Sequence, residues 1–464
     1  MADPSDTVRL ITRRPRRQRG ALKTSRVLSH PANRMPVMLR RALPRRPEAR
    51  RILVGTLLSA IGRGLTLPFL FIYLTDVRGL TDARAGLVIG WYGVVTLALS
   101  PLGGTLIDRF GARRVVVPCL LIEAIGTGSL ALVNSTGSAL LVMTVVAVGS
   151  SAIWSGQNTI LASLTDDGER QRVFGLNFAL LNLGIGIGGM TSGAIVDTAR
   201  PGTFQTIYLL DAVTYLMPAI ILLTLPGVGH RLGSRTGVGG PSPGGYLTVL
   251  RDRPFRRLVI FGLILTTCGY AQIEVGFAAY AVRVAQVETR VVAWALAANT
   301  VMIVLAQLVV IRRIEGRSRT RALAVVGAVF ATAWLVLGAA GLVSGENALL
   351  AALCVVACSA IFGFGETMLS PVMPAITNAL ATDELRGRYN AMSSMIFGIS
   401  GVIGPVTAGP LIGAADGKVW VATVVGGCLV ASLVALSLRR LLSADQDGRM
   451  TPTSTSPEPT PAPA

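Results

Sequence analysis

Charge is what this sequence has least of. Only 14% of its 464 residues are charged against 51% hydrophobic, and the mean hydropathy is +0.60. A soluble protein of this length needs far more charged surface, so a water-soluble globular chain is excluded. Lysine is nearly missing: of 43 basic residues only Lys23 and Lys418 are lysine. With the abundance of Ala and Gly, that suggests a GC-rich bacterial genome. Histidine occurs twice, at His30 and His230, both outside the apolar runs. Any proton carrier within those runs must therefore be a carboxylate. The five cysteines (Cys119, Cys268, Cys354, Cys358, Cys428) all lie inside apolar runs and read as small buried side chains. Cys354 and Cys358 share a helical face, but no His or third Cys stands near them to complete a metal site. A Gly-rich phosphate loop, a nucleophile motif and a soluble stretch able to hold an ATPase domain are all lacking. An enzyme is therefore not expected, nor any cofactor, and energy for work must come from a gradient. Residues 1–50 lack the apolar centre that a signal peptide requires.

What the chain does have is apolar runs of about 20 residues, the length that crosses a bilayer. They recur at roughly 51–75, 84–107, 114–133, 138–163, 173–196, 205–225, 257–282, 291–311, 321–343, 347–375, 389–413 and 418–438. The fold class expected is an all-α membrane protein with twelve spans. The formal net charge of +19 raises the question of nucleic acid, but the arginines sit in the short gaps and the N-terminal tail. Alternate gaps are basic (Arg109–Arg114, Arg170/Arg172, Arg231–Arg257, Arg312–Arg321, Arg386/Arg388) and the others nearly bare. The positive-inside rule produces that distribution. No nucleic-acid partner is expected; both termini are placed in the cytoplasm, and the location is a bacterial cytoplasmic membrane.

Residues 1–50 hold 14 Lys/Arg against three acids and read as a disordered basic tail. It either touches anionic headgroups or reflects an over-long gene start, with translation beginning at Met35 or Met38. Residues 51–225 then form a six-helix bundle, 226–256 a Gly/Pro/Ser-rich cytoplasmic linker ("GVGGPSPGG"), 257–441 a second six-helix bundle, and 442–464 a disordered tail. Sliding the chain by 216 residues aligns the "ERQR" loop with "LRGR", pairing Arg170 with Arg386 and Arg172 with Arg388. A parallel six-plus-six repeat is a transporter architecture with its site near the membrane midplane. A monomer is expected.

The stretch "GGTLIDRFGARR", 103–114, puts one acid and three arginines between spans 2 and 3. Gly104, Leu106, Asp108, Arg109, Gly111 and Arg113 resemble the loop 2–3 signature of the major facilitator superfamily (MFS), with Ala112 where a basic residue is usual. The resemblance covers about 51–440 and points to the bacterial drug-efflux branch. Physically, Gly104 permits close helix approach, and Asp108 suits the positive N-terminal end of a helix. The resemblance makes that helix span 11 and adds an arginine from loop 4–5, Arg170 or Arg172, as a latch closing the cytoplasmic side. The plainer reading is that these arginines only set topology. "IEGRSRTR", 314–321, looks like a decayed copy. In span 5, Gly175, Gly184, Gly188 and Gly193 keep the spacing of the antiporter motif, with Gly189 in place of its proline; span 11 carries "GPVTAGP" with Gly404 and Pro405. Tight packing alone also accounts for these residues.

An ionisable group inside the bilayer costs about 2.5–3.5 kcal/mol, so each is a functional candidate. Those deepest in the spans are Arg63, Glu123, Glu274 and Glu366, with Asp211 shallower. The resemblance makes spans 1, 4, 7 and 10 line the cavity. Glu274 and Glu366 are therefore the proton-coupling candidates, and Arg63 pairs with one of them or binds an anionic group. Static buried pairs are the alternative, and Glu123 and Asp211 are read as structural. Trp154, Gln157 and Asn158 of span 4, with Tyr270 and Gln272 of span 7, either hold an amphipathic ligand or serve as interhelical glue. The function expected is proton-coupled efflux of small amphipathic compounds by alternating access. The alternatives are transport of an anionic metabolite bound by Arg63, and a membrane sensor that moves nothing.

Overall fold

The computed structural model describes residues 43–197, 199–229, 245–273, 276–413 and 417–449. Among them the regular structure is helical, with no strand. Eleven helices are long and apolar enough to cross a membrane. They are Pro47–Val77 (span 1), Ala83–Phe110 (2), Ala112–Leu132 (3), Thr136–Ser163 (4), Gly168–Ile195 (5), Pro201–Leu223 (6), Arg290–Ile314 (8), Arg319–Val343 (9), Ala348–Leu380 (10), Arg386–Gly413 (11) and Lys418–Leu438 (12). The pair Arg253–Gln272 and Gly276–Arg283, bent by 43° at its break, serves as span 7.

Local chemistry sets the helix ends. Side chains of Thr81, Ser135, Ser318 and Asn347 accept backbone N–H groups in the first turns of spans 2, 4, 9 and 10, which have no partner inside the helix. Gly111, at φ 88°, makes the turn between spans 2 and 3, a conformation that side chains rarely adopt.

Span 1 packs on spans 5 and 6, span 3 on 4 and 6, and span 2 on 4. The same pairs recur six spans later: 7 on 11 and 12, 9 on 10 and 12, 8 on 10. Between the two sets, span 2 meets 11, and span 5 meets 8 and 10. The interiors differ in kind. In the first set, Gly184 and Gly188 of span 5 lie against Ala60, Ile61 and Gly64 of span 1; a Cβ on Gly184 would fall 2.6 Å from that of Ala60. Lipid is as apolar as the side chains, so close backbone contact supplies the attraction. The second set is held by rings: Phe330 stacks on Phe362 with centroids 4.0 Å apart, and Trp334 meets Trp420 edge-on at 5.3 Å.

Three boundaries shift from those read in the sequence. Span 1 begins at Pro47, inside the stretch assigned to the tail, and Arg45 N donates to Glu169 Oε2 at 3.2 Å. The linker is anchored at both ends: Arg113 N donates to Gly229 O at 3.0 Å, and Tyr246–Arg251 forms a short helix. The start of the expected C-terminal tail is packed. Asp447 is fully buried, its Oδ1 accepting from Thr320 N at 2.9 Å and its Oδ2 from Ser318 Oγ at 2.7 Å. Composition alone missed these contacts because they use single polar side chains, not an apolar pattern.

Candidate functional site

Asp108 stands at the end of span 2 with its side chain only 3% exposed. Its Oδ1 accepts from Gly387 N at 2.6 Å and its Oδ2 from Arg388 N at 3.1 Å. These N–H groups open span 11, where a helix has unpaired donors and the positive end of its dipole. One carboxylate thus satisfies both. Arg388 Nε lies 3.8 Å from Oδ2. Gly104 makes the approach possible: a Cβ there would sit 2.5 Å from Ala391 Cβ and 2.9 Å from Gly387 O. Gly387 is equally confined, 2.6 Å from Asp108 Oδ1 by the same measure. From the linker helix, Tyr246 donates its hydroxyl to Pro101 O in span 2. Burial pushes that phenol up to about 12, so it remains a donor at neutral pH.

The other arginines of the expected latch divide. Arg109 is exposed, its guanidinium 5.2 Å from the Phe110 ring centroid. Arg113 donates to Leu223 O at 2.9 Å, tying the loop to span 6. Arg170 is buried, reaching Ala162 O at 3.4 Å and Thr165 O at 3.5 Å. Arg172 bridges Glu169 and Glu315, each at 3.3 Å. Arg388, from span 11 itself, stands beside Asp108, while Arg172 of loop 4–5 crosses to Glu315 at the end of span 8.

Span 5 repeats the arrangement against span 8: a Cβ on Gly175 would meet Ile311 Cδ1 at 2.6 Å and Gln307 Nε2 at 2.9 Å. Gly404 faces Ala271, 2.7 Å from its Cβ; Pro405 lies in span 11, and its side chain is outside the described residues. Toward the opposite face the picture changes. Gly193, Gly401 and Gly409 each have open space within 4 Å. The two halves are joined at the basic face, and spans 5 and 11 present open positions toward the other.

The central candidates fall into three groups. Glu366 of span 10 is buried, its Oε2 accepting from Asn299 Nδ2 at 2.8 Å, with Tyr270 as its second hydrogen-bond partner. Tyr270 also meets the Phe397 ring edge-on at 5.5 Å. Glu274 lies outside the described residues. Arg63, midway along span 1, is exposed, and Trp154 is 37% exposed. Two amides expected at a ligand surface are instead committed within the bundles. Gln272 donates to Thr267 O and Gly404 O and accepts from Trp420 Nε1 at 2.9 Å. Gln157 donates to Thr56 Oγ1 and, at 3.1 Å, to Asn177 Oδ1. Asn158 is buried. In hydrocarbon an amide finds a neighbouring helix when one is in reach, which accounts for these hydrogen bonds.

A sequence profile of the Major Facilitator Superfamily matches residues 52–357 and 287–463. The chain belongs to the Major Facilitator Superfamily. As a member it is a multi-pass membrane transporter, not an enzyme. Among its relatives, the multidrug resistance protein MdtH of Aeromonas hydrophila is 26% identical over 364 residues, 77% of this chain and 86% of MdtH. The MFS-type transporter YqjV of Bacillus subtilis is 25% identical over 246 residues, 50% of this chain but only 56% of that protein. The quinolone resistance protein NorA of Staphylococcus aureus is 22% identical over 162 residues, 35% of this chain and 42% of NorA. The fold matches a bacterial homologue of the iron transporter ferroportin in its outward-facing state (TM-score 0.69, 15% identity, 85% of this chain and 100% of that one). It also matches FucP in the outward conformation (TM-score 0.67, 15% identity, 84% and 98%).

Within this superfamily member, three contributors escaped the reading of the sequence. Gly387 lies in the "LRGR" loop, noted there only for its repeat. Asn299 and Asn177 are amides in apolar runs, where a polar side chain is itself a signal.

Proposed function

We propose that the protein works by alternating access and exports small amphipathic compounds in exchange for protons. The basic face is the cytoplasmic one, by the arginine asymmetry of the loops, and the membrane is the bacterial cytoplasmic membrane. Asp108 on the start of span 11 latches that face, so the form described here opens outward. The observation that carries proton coupling is Glu366, a carboxylate buried in the membrane whose described partners, Asn299 and Tyr270, are neutral. Ionised and dry, such a group is costly; it takes a proton when sealed and yields it when wetted. Export of amphipathic compounds is supported by the names of the relatives MdtH and NorA.

The test uses protein reconstituted in vesicles with an imposed pH gradient and ethidium as probe. Gradient-driven ethidium movement is expected from the wild type. Glu366→Gln should abolish it and leave downhill exchange intact. Ethidium flux that is indifferent to the gradient, or undiminished in Glu366→Gln, rejects proton coupling through this residue. One observation favours a second reading: Arg63 is exposed midway along span 1, where an anionic substrate group has a partner. Loss of organic-anion flux in Arg63→Gln, with no ethidium flux in the wild type, would select it.

A further inference from the structure

The N-terminal half holds a charged cluster that the efflux scheme leaves unused. Glu123 of span 3 is 5% exposed and Asp211 of span 6 is 1% exposed. Both lie near the middle of their helices, Asp211 deeper in span 6 than its place in the sequence suggests. Asp211 is well supplied, its Oδ2 accepting from Thr66 Oγ1 at 2.7 Å and its Oδ1 from Thr214 Oγ1 at 3.3 Å. Glu123 is not. Tyr215 serves it with one hydrogen bond, but its Oε2 is buried with no partner. Gly149 of span 4 packs directly on this residue: a Cβ there would stand 2.7 Å from that oxygen and 2.6 Å from Glu123 N. The groups facing the pair are Arg63 of span 1, Tyr92 of span 2, Cys119 of span 3, and Tyr208 and Tyr215 of span 6. Arg63 is the one cation among them. It acts on both carboxylates through space, without a direct ion pair.

Counting charge decides what the site needs. Two carboxylates and one guanidinium sum to one negative charge in the middle of a bilayer, where uncompensated charge is expensive. One further positive charge makes the cluster neutral, and Glu123 Oε2, buried without a partner, can take it. A metal ion needs several convergent oxygens, and Asp211 has already given two acceptor positions to Thr66 and Thr214. A proton needs only one. Tyr215 also lines a cavity of about 50 Å³ whose walls are mostly apolar, with Thr56, Ser59 and Gln157 as its other polar members. On its other side the cluster faces Arg63, which is exposed.

We propose that Glu123 and Asp211, with Arg63 as counter-charge, form a one-proton binding site inside the N-terminal bundle, separate from Glu366. Loading moves one proton from hydronium onto the Glu123 carboxylate, leaving neutral water; release is the reverse. The first bundle then carries its own exchangeable charge.

Infrared difference spectroscopy on the full chain in liposomes, perfused alternately with acid and alkaline buffer, reads protonated carboxyls directly and needs no transported substrate. One protonated-carboxyl band should vanish in Glu123→Gln and equally in Asp211→Asn, since either change leaves Arg63 balanced by a single carboxylate. The same band should survive Glu366→Gln, so failure of the efflux scheme and failure of this site are separately visible. Arg63→Gln should double the cluster's proton uptake, from one to two. Glu123→Asp, which keeps a carboxyl, should shift the band without abolishing it and so guards against misfolding as the cause of loss. A band unchanged in both Glu123→Gln and Asp211→Asn overturns the proposal. So does an unaltered proton count in Arg63→Gln, or a response to sodium at fixed pH in place of a response to acid.

Discussion

The loop after span 2 and its counterpart after span 8 occupy equivalent places in the two halves, yet they close the basic face by different physics. The first buries Asp108 against backbone donors at the start of span 11. The second leaves Glu315 with a 37% exposed side chain, paired with Arg172 at 3.3 Å. A buried charge-assisted hydrogen bond contributes about 1.5–3 kcal/mol, whereas an exposed ion pair contributes about 0–1 kcal/mol and weakens with salt. The second loop has also taken on another task. Ser318 and Thr320 hold Asp447 of the C-terminal segment, and Arg319 Nη1 donates to Gln446 O at 3.0 Å. What reads as a decayed signature in the sequence is a loop whose polar groups have been redirected.

Four substitutions probe this inequality, in order of effect. Gly104→Val should be the most damaging, because a Cβ there already meets Ala391 Cβ at 2.5 Å and backbone at 2.9 Å. Overpacking of this kind costs up to about 3 kcal/mol, roughly 150-fold in the ratio of closed to open basic face; spin-label distances across that face would report it. The corresponding Gly175→Val meets flexible Ile311 and Gln307 side chains instead and should shift the ratio less. Asp447→Ala leaves Thr320 N without its acceptor and Ser318 Oγ without one of its own, at about 1–3 kcal/mol. Residues 442–449 should then exchange amide hydrogens faster, while distances between the halves stay put. Glu315→Gln should be the mildest, moving the ratio by less than about fivefold and losing even that effect in high salt.

The fold was largely legible because apolar length and arginine placement are direct consequences of the bilayer. Nearly every crossing falls within a few residues of its expected range, and the break in span 7 left no mark in the hydropathy. The site was legible in part. Asp108 and Gly104 stand in a recognisable spacing, and the structure sets both against span 11. Gln157 and Gln272 read equally as ligand groups or as interhelical glue because periodicity does not reveal what an amide faces; only packing shows Asn177 and Trp420 as their partners. Glu123 reads as structural because nothing in its own span marks a partner for it. Its free oxygen is a property of three helices at once, beyond the reach of any local pattern.

The most direct measurement is the distance distribution between spin labels on the basic-face ends of spans 2 and 11, compared between wild type and Asp108→Asn. A dominant short distance is expected in the wild type, with the separated population rising about tenfold or more on neutralising Asp108. An unaltered distribution in well-folded Asp108→Asn would contradict the latch and, with it, the assignment of this face as the one that opens and closes.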